Sequence, residues 1–231
     1  MKVDALFISD VHLGSKGCNP EELLKVLKKY KPKQLFLVGD IIDGWLLKKR
    51  MFWNQSFTNV IRKILSYSKN GTEVIYITGN HDDFLRSYSG TDLGNIKIVD
   101  EYQWNGYYIS HGDLYDGVVQ LKWLGVLGGW GYEIAIMIDR FLKSKFGYKK
   151  SFSKMVKNKV KSAVKFITNF EKQLAYQAIL RNCKGVICGH IHTPEDKNLS
   201  IKDVEVHYLN CGDWIENNSY IIYNDGEFIL H

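Results

Sequence analysis

The stretch VICGHIH, residues 186–192, runs from an apolar, strand-like segment through a glycine into two histidines set two apart, His190 and His192. Residues two apart in a strand point to one side, and in a tight loop after a strand such a pair can converge on one point. The chain has only seven histidines, so the placement asks for a reason. The same arrangement recurs four times upstream. Apolar runs at 3–9, 34–39, 73–78 and 107–110 end in Asp10-x-His12, Asp40-x-x-Asp43, Gly79-Asn80-His81-Asp82 and His111-Gly112-Asp113. Segments 20–30 and 57–68 have helical spacing and alternate with the first strands, which argues for a layered α/β fold. A further strand at 204–210 and a hairpin over 219–230, turning at Asn224-Asp225-Gly226, close the chain. In α/β sheets ligands bind outside the carboxyl ends of the strands, so the five polar clusters are expected to meet there.

At 231 residues the chain fits a single domain, 1–231, with an ordinary apolar content of 45%. Cysteines stand at 18, 183, 188 and 211 with no CxxC pair, a pattern that suits a reducing compartment. MKVDALFISD is too short and too soon interrupted by acids for a signal peptide, and no apolar run reaches spanning length. A cytoplasmic protein is expected, with a place on the inner face of a membrane left open. The net charge of +6 is concentrated. Between Lys143 and Lys172 come Lys145, Lys149, Lys150, Lys154, Lys157, Lys159, Lys161 and Lys165, with Glu171 the only acid. Such a stripe suits an anionic partner, phospholipid, phosphorylated substrate or nucleic acid, although a solvated helix face accounts for any one of these lysines.

From 114 to 182 the strand pattern breaks. Residues 114–142 are rich in Leu, Ile, Trp and Gly. Over 151–180, Phe152, Val156, Val160, Ile167, Leu174 and Ala178 roughly follow one helix face. This reads as a helical cap inserted in the domain over the mouth of the crevice.

The strand-end donors are carboxylate, amide and imidazole, with no thiolate. That mixture suits Mn²⁺, Fe²⁺ or Zn²⁺, and there are enough donors for two ions. The ordered set D-x-H, G-D-x-x-D, G-N-H-D, H-G-D and G-H-x-H resembles the calcineurin-like metallophosphoesterase family, from Asp10 to His192 apart from the insertion. The resemblance implies a four-layer α-β-β-α sandwich and two divalent ions, Mn²⁺ first among the candidates. By motif, Asp10, His12 and His192 would bind one metal and Asn80, His111 and His190 the other, with Asp40 bridging. His81 would meet the substrate phosphate, and Asp82 would orient His81. Asp43 and Asp113 stand between loop capping and support of the site. The Asn210-Cys211-Gly212-Asp213 stretch reads as turn chemistry, and His207 and His231 as structural.

GDIIDGW, GNHDDFLR, HGDLYD and GHIHTP, followed through a helical insertion, resemble the UDP-2,3-diacylglucosamine pyrophosphohydrolase group of lipid A synthesis. In that group the insertion caps the site and holds acyl chains. The resemblance implies a lipid-linked nucleotide substrate, with Arg86, Asp116, Trp123, Trp130 and Arg140 as the candidate contacts. Two departures stand out: His81 replaces an arginine of that group, and NCGDW stands where a different loop is expected. The rival readings are a soluble phosphodiesterase or phosphatase, a nuclease of the same superfamily, and a metal-binding scaffold without activity. A scaffold would be expected to have lost ligands, and none is missing.

Overall fold

The computed structural model describes residues 1–115 and 152–231, the side chains of 152–165 excepted. They fall into two compact units, Met1–Leu114 with Lys172–His231, and Tyr115–Glu171. The sheets and the strand-end clusters belong to the first.

Its first half alternates strand and helix: β1 (Lys2–Ile8), α1 (Pro20–Lys29), β2 (Lys31–Val38), α2 (Gly44–Lys49), α3 (Gln55–Lys69) and β3 (Glu73–Ile77). Four short strands follow, β4 (Thr91–Leu93), β5 (Ile96–Val99), β6 (Glu101–Trp104) and β7 (Tyr107–Ser110). The chain then continues through α4 (Phe152–Leu180), β8 (Gly185–Cys188), β9 (Glu195–Ile201), β10 (Val204–Asn210), β11 (Ile221–Asn224) and β12 (Glu227–Leu230). Seven strands form one sheet in the order β12-β11-β1-β2-β3-β5-β4, and five form a second in the order β6-β7-β8-β10-β9. The central pairs β1–β2, β2–β3, β3–β5, β7–β8 and β8–β10 are all parallel.

Parallel strands buried on both faces read as continuous apolar runs, and the alternation within them sorts the layers. Leu6, Ile8, Leu35, Leu37, Val74 and Tyr76 join one core with Leu23 and Leu27 of α1 and Phe57, Val60, Ile64 and Tyr67 of α3. The intervening Ala5, Phe7, Phe36, Val38, Ile75 and Ile77 join a second core with Tyr107, Ile109, Ile187 and Leu209 of the other sheet. Helices therefore cover one face of the first sheet, and the second sheet covers the other. The expected layered α/β sandwich is present.

Local chemistry sets the helix ends. Pro20 opens α1, with Glu21 and Glu22 in its first turn and Lys28 and Lys29 in its last, as the helix dipole favours. Asn54 caps α3 by accepting from the Phe57 amide at 3.0 Å. The β11–β12 turn has positive φ at Asp225 (52°) and Gly226 (94°), the backbone a tight hairpin needs. All four cysteines are buried free thiols. No described helix is long and apolar enough to cross a membrane.

The helix expected over 151–180 is α4, in whose last turns Leu174, Ala175 and Ala178 are buried. Residues 116–151 of the expected cap, including Asp116, Trp123, Trp130 and Arg140, lie outside the described residues.

Candidate metal centre

Each parallel strand hands its last residue to a loop that turns at once, and several of these turns bend in the left-handed sense. Asp10, His12, Asp40, His190 and His192 have φ of 50°, 52°, 55°, 72° and 53°. That region is sparsely populated outside glycine and costs on the order of 1–3 kcal/mol per residue. Five such residues at one end of two sheets are held there by their surroundings. Two glycines let the loops close. A Cβ on Gly79 would lie 2.2 Å from Asp40 Oδ1, and one on Gly189 would lie 1.9 Å from Ser9 Oγ and 2.3 Å from Asp10 Oδ2.

The donors converge as the motif spacing suggested. Asp10, His12 and His192 offer ligand atoms within 4.8 Å of one another, as do Asp10, Asp40 and His111. His192 Nε2 is 3.1 Å from Asp10 Oδ1 and 3.3 Å from His12 Nε2. His111 Nε2 is 3.3 Å from Asp40 Oδ2, and its Nδ1 faces the Val38 carbonyl oxygen at 2.9 Å, which leaves Nε2 to face the carboxylates. Asp10 Oδ2 accepts from the His190 amide at 2.9 Å and from Ser9 Oγ at 2.5 Å, so its Oδ1 is the free oxygen. The His190 ring lies 5.2 Å from that of His111, centroid to centroid.

A third set, His12, Asp43 and His81, also lies within 4.8 Å. Asp43 serves both roles left open for it. Its Oδ1 caps α2 by accepting from the Leu46 amide at 2.9 Å and stands 3.1 Å from His81 Nδ1. Its Oδ2 stands 3.6 Å from His12 Nδ1. The expectation that Asp82 orients His81 needs correction. Asp82 is fully buried and accepts from the amides of Ile41 (2.9 Å) and Gly79 (2.6 Å) and from Tyr76 Oη (2.7 Å). It folds back to tie two strand-end loops together, and the carboxylate on His81 is that of Asp43. Trp45, which the sequence reading did not single out, lies over His81 with ring centroids 4.5 Å apart. Its only signal was its place at the end of GDIIDGW.

The remaining candidates sort clearly. Arg86 Nη2 donates to Asp113 Oδ2 at 2.6 Å, so Asp113 anchors a half-exposed guanidinium. Asp213 Oδ1 accepts from the amides of Ile215 and Glu216, which is turn chemistry. The same turn also holds Asn217, whose Nδ2 donates to the His192 carbonyl at 3.0 Å. His207 lies between Tyr107 Oη and Asp196 Oδ1, 2.8 Å from each, and His231 stacks on Tyr220, both structural placements.

Electrostatics decide whether this cluster fits cations. Burial disfavours charge on Asp10, yet the imidazoles of His192, His111 and His12 hold its carboxyl far below the ordinary range. Asp40 is likewise brought down to about 2 against burial, chiefly by His111. Against its own burial, His192 is pushed up to about 9 by Asp10, and His111 rises well above the imidazole range next to Asp40 and Asp10. Asp82 moves the other way, raised by burial and by Asp40. Two buried carboxylates thus demand positive charge, and in the absence of other cations imidazolium protons supply it. Asp10 Oδ1, Asn80 Oδ1 and His111 Nε2 are buried yet make no hydrogen bond. Unsatisfied buried donors and acceptors are costly, and oxygen and imidazole atoms left so beside two carboxylates fit divalent metal ions.

The sequence profile of the calcineurin-like phosphoesterases matches residues 4–194. The UDP-2,3-diacylglucosamine hydrolase of Porphyromonas gingivalis is 26% identical over 263 residues, covering 100% of this chain and 97% of that protein. The enzyme of the same name from Aeromonas hydrophila subsp. hydrophila is 25% identical over 246 residues, covering 97% and 96%. That of Neisseria gonorrhoeae is 32% identical over 116 residues, 46% of this chain and 47% of its own. The profile runs from β1 to the loop after β8, the span that carries every strand-end cluster, and the chain belongs to the calcineurin-like phosphoesterase family of metal-dependent phosphoester hydrolases.

Proposed function

We propose that the protein cleaves the pyrophosphate bond of a lipid-linked nucleotide sugar of the UDP-2,3-diacylglucosamine kind, as in lipid A synthesis, at a centre for two Mn²⁺ ions. The observation that carries the hydrolytic part is the convergence of Asp10 and Asp40 with His12, His111 and His192. The substrate rests on likeness along nearly the whole chain to two proteins named for that reaction. In this reading Asp10, His12 and His192 would hold one ion and Asn80, His111 and His190 the other, with Asp40 serving as a ligand between the two sets. Such a pair would supply Lewis acidity at the phosphoryl oxygens and lower the pKa of water. The chain's own groups do the rest. Asp43 Oδ1 stands 3.1 Å from His81 Nδ1 as its ion-pair partner, and His81 Nε2 lies 4.0 Å from Asp40 Oδ2. From there His81 donates to the phosphoryl oxygens or protonates the leaving one. Asp82 keeps the loops after β2 and β3 in register, and Arg86 on Asp113 offers an anion contact. The cap over 114–182, with Asp116, Trp123, Trp130 and Arg140, takes the lipid part, and the protein works on the cytoplasmic face of the membrane.

A turnover panel with added Mn²⁺ tests this: the UDP-linked diacyl sugar, bis-p-nitrophenyl phosphate, a phosphomonoester and single-stranded DNA. The expected result is metal-dependent cleavage of the lipid substrate to two phosphomonoesters, far faster than any other. Preference for the small diester would replace it with a soluble phosphodiesterase. Salt-sensitive DNA cleavage would replace it with a nuclease, and bound metal without turnover with a scaffold.

A further inference from the structure

Directly after Asp43 the chain runs GWLLKKRMFWN, residues 44–54, with three consecutive cations and no acid. α2 occupies its first six residues and is anchored from within. Asp43 caps it, and Leu47 packs so closely on Gly14 that a Cβ there would lie 2.9 Å from Leu47 Cγ. Further on, Trp53 Nε1 donates to Thr58 Oγ1 at 2.9 Å. The outward positions are Leu46, 41% exposed, then Lys48, Lys49 and Arg50, all exposed, and Met51, 74% exposed. Trp45, Phe52 and Trp53 are half-buried. The exposed Lys16 lies over the Phe52 ring, 5.8 Å from its centroid, and adds a fourth cation.

The helix dipole accounts for Lys48 and Lys49 in a last turn. It does not account for Leu46 and Met51, the two exposed aliphatic side chains that flank the cations; Phe52 and Trp53 pack on the core beside Phe57 and Trp45 packs on His81. Cations interleaved with exposed aliphatic groups, without an acid, complement anionic headgroups above acyl chains.

We infer that residues 44–54 form a docking patch for an anionic lipid bilayer. The patch begins next to Asp43, which touches both His12 and His81, so docking brings the metal centre to the headgroup layer. The inference extends the proposed function to where the substrate's lipid lies, and rests on that reading for its purpose but not for its test.

The test is sedimentation of the full chain with vesicles of phosphatidylcholine alone or mixed with phosphatidylglycerol, at low and high salt. Wild type is expected to bind the mixed vesicles and to be released by salt. K48Q/K49Q/R50Q is expected to bind more weakly by on the order of a hundredfold, about fivefold per cation near the surface. L46S/M51S is expected to lose several-fold. Both variants should hydrolyse bis-p-nitrophenyl phosphate at the wild-type rate, which also reports an intact fold. Wild-type binding by either variant would overturn the patch, as would a loss seen only with K154Q/K157Q/K161Q/K165Q. Binding through this patch without cleavage of the UDP-linked lipid would overturn the proposed substrate and leave the patch standing.

Discussion

Asp43→Asn separates the two jobs of one carboxylate. As a cap, Asn serves about as well as Asp, so the bond to the Leu46 amide survives and stability should change by no more than ~0.5 kcal/mol. As the partner of His81 Nδ1, 3.1 Å away, the amide loses the charge. A hydrogen bond to a charged group is worth about 1.5–3 kcal/mol. If His81 must carry its proton to the leaving oxygen, kcat should fall by about 10- to 150-fold. Asp43→Ala should show the same loss of rate plus ~1 kcal/mol for the lost cap, about 2–4 °C in Tm for a chain of this size. The contact of Asp43 with His12 can also weaken metal binding about tenfold, so kcat is measured on bis-p-nitrophenyl phosphate at saturating Mn²⁺. Because Asp43 acts through His81, the double variant D43N/H81A should be no slower than H81A alone. A D43N enzyme within twofold of wild type, or additive losses in the double variant, would show that Asp43 does not act through His81.

Asp40→Ala should abolish turnover of every substrate and lower metal content, and full turnover with two metals retained would sink the shared-ligand assignment; metal analysis beside kinetics decides. His81→Ala should keep its metal and lose about 10²–10⁴-fold in rate, whereas a large loss of metal would make His81 a ligand. His81→Arg should raise activity on the UDP-linked lipid if the departure from the resembled group sets specificity, and no gain there would detach specificity from this position. With His192 at about 9, its imidazole carries a proton at pH 7 in the metal-free protein, and Mn²⁺ must displace it. Affinity should therefore rise with pH up to about 9, with proton release seen as a buffer-dependent calorimetric enthalpy. An enthalpy independent of the buffer would contradict the imidazolium reading.

What could be read from the chain alone followed from burial on two faces. The runs that became β1, β2 and β3 are apolar because both of their faces are covered, and each ends in a polar cluster because the strand end meets the site. The same logic explains what was missed. β4, β5 and β6 are short, and only Ile98 among their residues is fully buried, so Thr91, Asp92, Lys97 and Glu101 hide the pattern. β9 is an edge strand, EDKNLSI, none of whose side chains is fully buried, yet it pairs with β10 along its whole length through backbone bonds that no side-chain pattern reports. In the site, residue types and spacing named the donors but not their pairings. Asp82 follows His81 directly along the chain, whereas Asp43 precedes it by 38 residues. Only the fold shows that Asp43 faces His81 while Asp82 is consumed by the amides of Ile41 and Gly79.

That division of labour has a physical logic. Left-handed backbone at Asp10, His12, Asp40, His190 and His192 would relax if the loops could open. The carboxylate of Asp82 and the second oxygen of Asp10 prevent this by accepting from backbone amides across strand ends, those of Ile41 and Gly79 for one and of His190 for the other. Such bonds take both oxygens of Asp82 but only one of Asp10. Asp10 Oδ1, Asn80 Oδ1 and His111 Nε2 are among the buried atoms left without a hydrogen bond, as is His81 Nδ1. A cluster that served only the fold would have satisfied them, since each unmade bond there costs about 1–3 kcal/mol. Strain and buried polar atoms without hydrogen bonds at the same strand ends, beside the carboxylates of Asp10 and Asp40, mark a site shaped around cations that the chain itself does not supply.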